Sequence, residues 1–368
     1  MTKDTRINVL NIGLMLLSCV AAFIMPFEVF LFAYAFMGPL HYLTEISWLH
    51  DRQYFTKGKH DHVILWIIGA LIALEAIAHK LGINLPLSSE FGNKIIFVAL
   101  AGSLLMVFVQ NVFFKIFGLL FVLLISNAIF QPDARDGFTF FIGALLPTLV
   151  HVYVFTGFFI LYGALKARSS SGVWSFIVFV LCPFVLFFLF RDKTFVPVTE
   201  YGMNAYGKTT DSDGFFSLNV EVLDHFFGAF HQLKDAHGNL LYYENGNVAM
   251  DYGNAANLVF HSSTGILLMR FIAFAYTYHY LNWFSKTEII RWHKVPKARF
   301  VGVIILWVAS LILYGINYSL GLNWLFFLSF CHVLLEFPLN MVSITGIGKE
   351  LWSIRKTGFA PKVAMAKK

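Results

Sequence analysis

The stretch Gly38-Pro39-Leu40-His41-Tyr42-Leu43-Thr44-Glu45 lies inside an apolar segment that runs from about Phe27 to Leu49. A proline stands two residues before the histidine, and a glutamate follows that histidine by four residues. Residues i and i+4 share one face of an α-helix, so we expect the His41 and Glu45 side chains to be neighbours. Ionisable side chains are costly inside a membrane, and each one is by default a candidate functional residue.

The same combination of proline, histidine and glutamate recurs further along the chain. Cys331-His332-Val333-Leu334-Leu335-Glu336 repeats the His-x-x-x-Glu spacing, and Pro338 follows two residues later. In the middle of the chain, Pro147 precedes His151 by one helical turn. Proline removes a backbone donor and bends a helix, so we expect these bends to turn three helices towards one point.

The composition is that of an integral membrane protein. Of the 368 residues, 58% are hydrophobic and only 13% are charged, and the mean hydropathy is +0.69. Soluble domains carry about 25% charged residues. We therefore predict an all-α polytopic bundle, one domain over residues 1–368, with about ten transmembrane segments. These segments are 7–25, 27–49, 62–78, 93–109, 113–130, 138–165, 173–190, 257–280, 300–320 and 323–344.

The charge pattern predicts the topology. If both termini are cytoplasmic, every well-charged inner loop is basic, and the long outer loop over 191–256 is rich in acidic residues. Within that loop, residues 218–233 show the spacing of an amphipathic helix lying on the membrane surface. The net charge of +6 is thus a topology signal, which gives no reason to expect a nucleic-acid partner. We expect a multi-pass protein of a bacterial inner membrane, with the lipid bilayer as its surroundings.

Three of the intramembrane histidines fall at similar depth. Counted from the outer end of each segment at roughly 1.5 Å per residue, His41, His151 and His332 lie about 14, 13 and 9 residues in. His279 lies about 22 residues in, so it is expected to be nearer the inner surface. Arg270, about 13 residues into its segment, joins the mid-membrane group.

This polar set is compatible with a metal centre. Imidazole suits iron, copper and zinc, and a carboxylate either binds the metal or orients a histidine that does. Glu45 and Glu336 could take either part, or act as catalytic groups. A single histidine in a spanning helix is more often a packing residue, and Arg270 could form a structural ion pair with Glu45 or Glu336, or bind a substrate carboxylate.

Two short stretches resemble the bacterial membrane β-carotene dioxygenase family associated with retinal production. They are Gly38-Pro39-Leu40-His41 and Phe274-Ala275-Tyr276-Thr277-Tyr278-His279-Tyr280. The resemblance implies an all-helical bundle that holds one Fe(II) through histidines and cleaves a carotenoid double bond with oxygen. It implies that His41 is the ligand in an early helix and His279 one member of the later pair. His151 is then the best candidate for a ligand between them in the chain. The family's later HxxxH pair is incomplete here, because Ala275 or Trp283 stands at the partner position.

The sequence leaves two functions open. The first is a membrane-bound non-haem iron oxygenase, a dioxygenase of an apolar, carotenoid-like substrate. Its metal ligands would be His41, His151, His279 and His332, with Arg270 and Tyr276 binding substrate. The second is a proton- or ion-coupled transporter with a midplane site formed by His41/Glu45, His332/Glu336 and Arg270.

Overall fold

The computed structural model describes residues 2–81, 83, 85, 87, 90–131, 137–189, 198–208, 215–242 and 249–359. These parts of the chain are helical apart from connecting segments and two isolated β-bridges, and they contain no strand. The helices are α1 (Lys3–Ile24), α2 (Pro26–Asp51), α3 (Asp61–Lys80), α4 (Phe91–Phe108), α5 (Val112–Ile129), α6 (Gly137–Ala167), α7 (Ser170–Leu189), α8 (Glu200–Tyr206), α9 (Phe216–Phe227), α10 (Ala255–His261), α11 (Ser263–Ser285), α12 (Thr287–Ile290), α13 (Lys297–Ile316) and α14 (Tyr318–Thr357).

The helices confirm a multi-pass, all-α membrane bundle. Within the described residues, nine helices are long and apolar enough to cross a bilayer. The predicted eighth segment is a bent pair instead of a single rod, because α10 and α11 meet at 62°. Ser262 causes the break: its backbone is extended, and its side chain accepts a hydrogen bond from the Gly265 N–H to begin α11. Counting this pair as one span gives up to ten.

Stretches of π-helix interrupt the spans that carry two of the histidines. In α2 the π-helical turn Ala33–Met37 comes directly before Gly38, whose N–H donates to the Ala33 carbonyl. In α6 the π-helix Phe141–Phe155 contains both Pro147 and His151. Proline cannot donate to the preceding turn, and a wider turn accommodates the missing hydrogen bond. Such wide turns change the direction in which the following side chains point.

Four helices surround the centre of the bundle. Helices α11 and α14 each pack against both α2 and α6. Nearly every side chain of α11 between Gly265 and Tyr280 is buried, whereas α5 exposes most of its apolar side chains. Helix α11 is therefore central and α5 peripheral. The segment Cys331–Pro338 of α14 is buried without interruption.

The predicted amphipathic helix of the long loop is α9, which is shorter than expected. It begins at Phe216 and ends at Phe227, because Gly228 adopts a left-handed conformation with φ of 56°. One face, including Val220 and Leu223, is buried against α10 and α11, while Phe226 and Phe227 are 59% and 58% exposed. The helix is thus partly built into the bundle. Its position at the membrane surface stays a prediction.

Candidate metal centre

The four predicted histidines meet at the junction of α2, α6, α11 and α14. Each of them is at most 5% exposed. The ring centroids of His41 and His279 are 4.7 Å apart, and those of His41 and His332 are 5.5 Å apart. His151 lies 5.0 Å from both His279 and His332 by the same measure. Helices far apart in sequence therefore bring their imidazoles to one place.

Three of these residues form a group that could hold a metal ion. One ring nitrogen each from His41, His279 and His332 lies within 4.8 Å of the other two. The Nε2 atoms of His41 and His279 are 3.0 Å apart. Two nitrogens bound to one ion at about 2.1 Å are separated by about 3.0 Å in octahedral and 3.4 Å in tetrahedral geometry. The separation of His41 from His279 therefore fits ligation of one ion.

His332 is held in one tautomer by the helix backbone. Its Nδ1–H donates to the Ser329 carbonyl, which is an acceptor only. The lone pair is therefore on Nε2, the nitrogen that lies 3.2 Å from His151 Nε2. The Tyr42 ring stacks on the His332 ring with centroids 4.4 Å apart and planes 28° apart. These contacts fix the orientation of the ring before any ion arrives.

His279 is closer to the other histidines than its position in the sequence predicts. Counted from Asn257 it is expected about 12 Å deeper than His41, yet the two Nε2 atoms are 3.0 Å apart. The expectation is wrong because α10 bends away from α11 by 62°, so the depth must be counted from Ser263. On the other side of the ring, His279 Nδ1 lies 2.7 Å from the Thr156 hydroxyl.

His41 faces a carboxylate and a tryptophan. Glu45 Oε2 lies 3.0 Å from His41 Nε2, as the i, i+4 spacing predicts. The Trp283 ring meets the His41 ring edge to face at 5.5 Å, and its Nε1–H donates to Thr44. Trp283 therefore fills the space where an HxxxH partner of His279 would stand.

Glu336 has a different neighbour from the one that its spacing predicts. His332 uses its Nδ1 for the Ser329 carbonyl, whereas Glu336 Oε2 lies 3.6 Å from His151 Nδ1 on another helix. The side chains of Glu336 and Glu45 are also near enough to interact electrostatically. Both glutamates are at most 3% exposed. Each predicted glutamate thus contacts a predicted histidine.

An apolar cavity of about 740 Å³ reaches the centre. His151, His279 and His332 lie at one side of it, and Tyr276, Phe326 and Phe327 are among its aromatic walls. Near the C-terminal end of α3 and the N-terminal end of α14 it is bounded by side chains exposed on the surface of the bundle, Ile77 (54%), Leu81 (68%) and Phe326 (39%). Ligand pockets usually measure about 300–1,000 Å³, so the cavity can take a sizeable apolar molecule.

The two predicted substrate-binding residues lie in different places. Tyr276 lines the cavity and meets Phe30 edge to face at 5.0 Å. Arg270 stands over the Phe23 ring at 4.2 Å, and its Nε–H donates to the Phe23 carbonyl. At roughly 1.5 Å per residue, Arg270 is about 13 Å from His279 along α11. The structure therefore associates Tyr276 with the cavity and Arg270 with α1.

Three contacts of the histidines are not among the predictions made from the sequence. Thr156, Ser329 and Tyr42 each touch a histidine ring. Ser329 and Tyr42 lie within three residues of a histidine, and an i−3 spacing could have identified Ser329. Thr156 lies on α6, and only the packing of α6 against α11 brings it to His279.

Comparisons with family models, with curated proteins and with solved structures find no match to this chain. The chemistry of the side chains at the centre is therefore the basis for any functional assignment. Three buried imidazoles with nitrogens within 4.8 Å of one another, two carboxylates beside them and an apolar cavity on one side are compatible with a metal ion that has free coordination positions.

The contact between Thr156 and His279 provides a test of this centre. Thr156→Val keeps the shape of the side chain but removes its hydroxyl group, so His279 loses its outer hydrogen-bond partner. We expect the affinity for Fe(II) or Zn(II) to fall about 10–100-fold, as for other residues that orient metal-bound histidines. Competition with a metal-binding dye measures this. Thr148→Val, at a cavity-lining threonine on the same helix, is the control and should bind normally; equal affinity in both variants would contradict the prediction.

Proposed function

We propose that this chain is an integral-membrane non-haem iron oxygenase that acts on a lipid-soluble substrate. One observation carries the proposal: the ring nitrogens of His41, His279 and His332 lie within 4.8 Å of one another beside an apolar cavity bounded by lipid-facing side chains. A metal that faces such a cavity would meet substrates dissolved in the membrane. The proposal includes a bacterial inner membrane with both termini in the cytoplasm, on the charge pattern of the loops.

The choice of iron follows from the donor set. Zinc and copper also bind imidazole, but histidines with an adjacent carboxylate and free positions are typical of Fe(II) oxygenases. Glu45 supplies that carboxylate, 3.0 Å from His41 Nε2. When bound, the ion would supply the activation of O₂, which closed-shell organic molecules do not achieve unaided. The fit of these residues to a metal supports the proposal independently of the sequence resemblance.

The substrate class follows from the cavity walls. Phe326, Phe327 and Tyr276 offer ring faces and edges to a flat apolar chain, and 740 Å³ is space for a long one. A carotenoid-like polyene meets both conditions. Cleavage of one carbon–carbon double bond by O₂ places one oxygen atom on each carbon, so the reaction balances without an external electron donor. The walls would position the double bond near the histidines and exclude water from it.

A transporter is the second candidate, and the inner half of α14 favours it. Glu336, Asn340 and Ser343 follow His332 at helical spacing, and each is 1% exposed. The side-chain oxygen and nitrogen of Asn340 and the hydroxyl of Ser343 have no hydrogen-bond partner among the described residues. A row of buried polar groups along one face of the helix could carry a proton or an ion towards its inner end. A transporter of this kind does not require iron.

Metal content separates the two functions. Purified protein should contain iron, and His41→Ala should lower the content by at least one ion per chain because it removes a ligand from the triad. The control is His237→Ala, at an exposed residue of the outer loop, which should keep all of its iron. Elemental analysis alongside size-exclusion chromatography measures both. Wild-type protein that binds no iron after reconstitution would rule out the oxygenase.

The cavity makes a second prediction about the substrate. Ala76 lines the cavity, whereas Ala70 on the same helix is exposed on its outer surface. Ala76→Phe places a ring in the cavity and should lower kcat/KM for β-carotene by about tenfold or more, without changing the iron content. Ala70→Phe is the matched control and should keep the wild-type rate. Product formation followed by absorbance measures this, and equal rates in both variants would show that the cavity does not hold the substrate.

A further inference from the structure

Beside the triad, His151, Glu336 and Glu45 form a second group of possible metal ligands. His151 Nδ1 makes no hydrogen bond among the described residues, although Glu336 Oε2 lies 3.6 Å away. The Glu336 carboxyl group also faces that of Glu45, whose Oε2 lies 3.0 Å from His41 Nε2. The three residues are at most 3% exposed, so bulk solvent does not reach them. Buried polar groups in native proteins are nearly always paired, and unpaired ones need an explanation. A site for a cation is one such explanation.

The tautomers of the histidines strengthen this explanation. His332 donates through Nδ1 to the Ser329 carbonyl, so its Nε2 can only accept in the contact with His151. Without an ion in the triad, the proton of that contact is on His151 Nε2, which leaves a lone pair on His151 Nδ1. This lone pair faces Glu336 Oε2 at 3.6 Å. Two acceptors that face each other are stabilised when a proton or a metal cation lies between them, and a cation could satisfy both of them together with Glu45.

The distances suit a metal ion. Donor atoms that bind one ion at about 2.0–2.2 Å are separated by about 3.0–3.5 Å. The separation of His151 Nδ1 from Glu336 Oε2 is 3.6 Å, close to that range. Glu45 is near enough to interact with Glu336, and its Oε2 lies 3.0 Å from His41 Nε2 in the triad. Glu45 therefore stands between the two groups of donors.

We infer that this centre binds a second divalent metal ion, held by His151 Nδ1 and Glu336, with Glu45 bridging it to the ion of the His41/His279/His332 triad. Carboxylates with one imidazole suit Fe(II) or Mn(II) better than softer ions. The two negative charges would offset one divalent cation, which removes the cost of two buried carboxylates in a lipid-surrounded bundle. The inference rests on the proposed function, since it deepens the same centre from one ion to two.

Counting iron tests the inference separately from the function. Protein stripped with a chelator and reconstituted with Fe(II) without oxygen should bind two ions per chain. Glu336→Gln removes a charged ligand of the second ion alone and should bind one. Glu75→Gln, at a partly buried glutamate on α3 that faces Gly92, is the matched control and should bind two. Retention of one ion by Glu336→Gln also shows that this variant folds.

The alternative outcomes are distinguishable. One ion in both wild type and Glu336→Gln would overturn the second site and leave the oxygenase intact, with Glu336 only orienting His151. Two ions per chain in both proteins would show that Glu336 does not bind the second ion. If Glu336→Gln loses both ions but elutes from size-exclusion chromatography like the wild type, Glu336 is not a ligand of the second ion alone. No iron in wild type would contradict the proposed function itself. Mössbauer spectra of the oxidised protein add a second readout, since a bridged pair is magnetically coupled and a lone ion is not.

Discussion

Burial of polar rings in a lipid-surrounded bundle is the constraint on which the centre of this molecule depends. An imidazole that lacks a partner in an apolar environment loses several kcal/mol of hydration, by order of magnitude. Here His41, His279, His151 and His332 are all nearly inaccessible, and they pair through Nε2···Nε2 contacts of 3.0 and 3.2 Å. The Nδ1 atoms of His41 and His151 have no hydrogen-bond partner among the described residues. The rings therefore hold α2, α6, α11 and α14 together. A bound metal would replace these contacts by stronger ones in the same places.

The helical irregularities are what allow the rings to meet. Pro39 follows one π-helical turn, and Pro147 lies inside another, so the backbone widens where the missing N–H would be. Wide turns of this kind are enriched at functional sites because they redirect side chains. The break at Ser262 also changes the direction of the segment, since it bends α10 away from α11 by 62°. Regular straight helices would leave these histidines facing different neighbours.

Much of this could be predicted from composition and spacing. The lengths of the apolar segments predict the spans. Their similar depth predicts that His41, His151 and His332 lie together, and the rings of His41 and His151 both contact the ring of His332. The predicted depth of His279 is too great because it is counted from Asn257, and the bend at Ser262 makes several of those residues part of another helix. The pairing of Glu336 with His151 is missed because local spacing cannot show that His332 uses the Ser329 carbonyl instead. Thr156 depends on packing between helices, which periodicity does not describe.

Iron K-edge X-ray absorption of the purified, reconstituted protein tests the central claim most directly, because it reports the atoms around the ion. The account predicts imidazole nitrogens at about 2.1 Å, with a weaker nitrogen shell when His332 is replaced by alanine. Iron surrounded only by oxygen, or a nitrogen shell unchanged in that variant, would show that the histidines meet for packing alone.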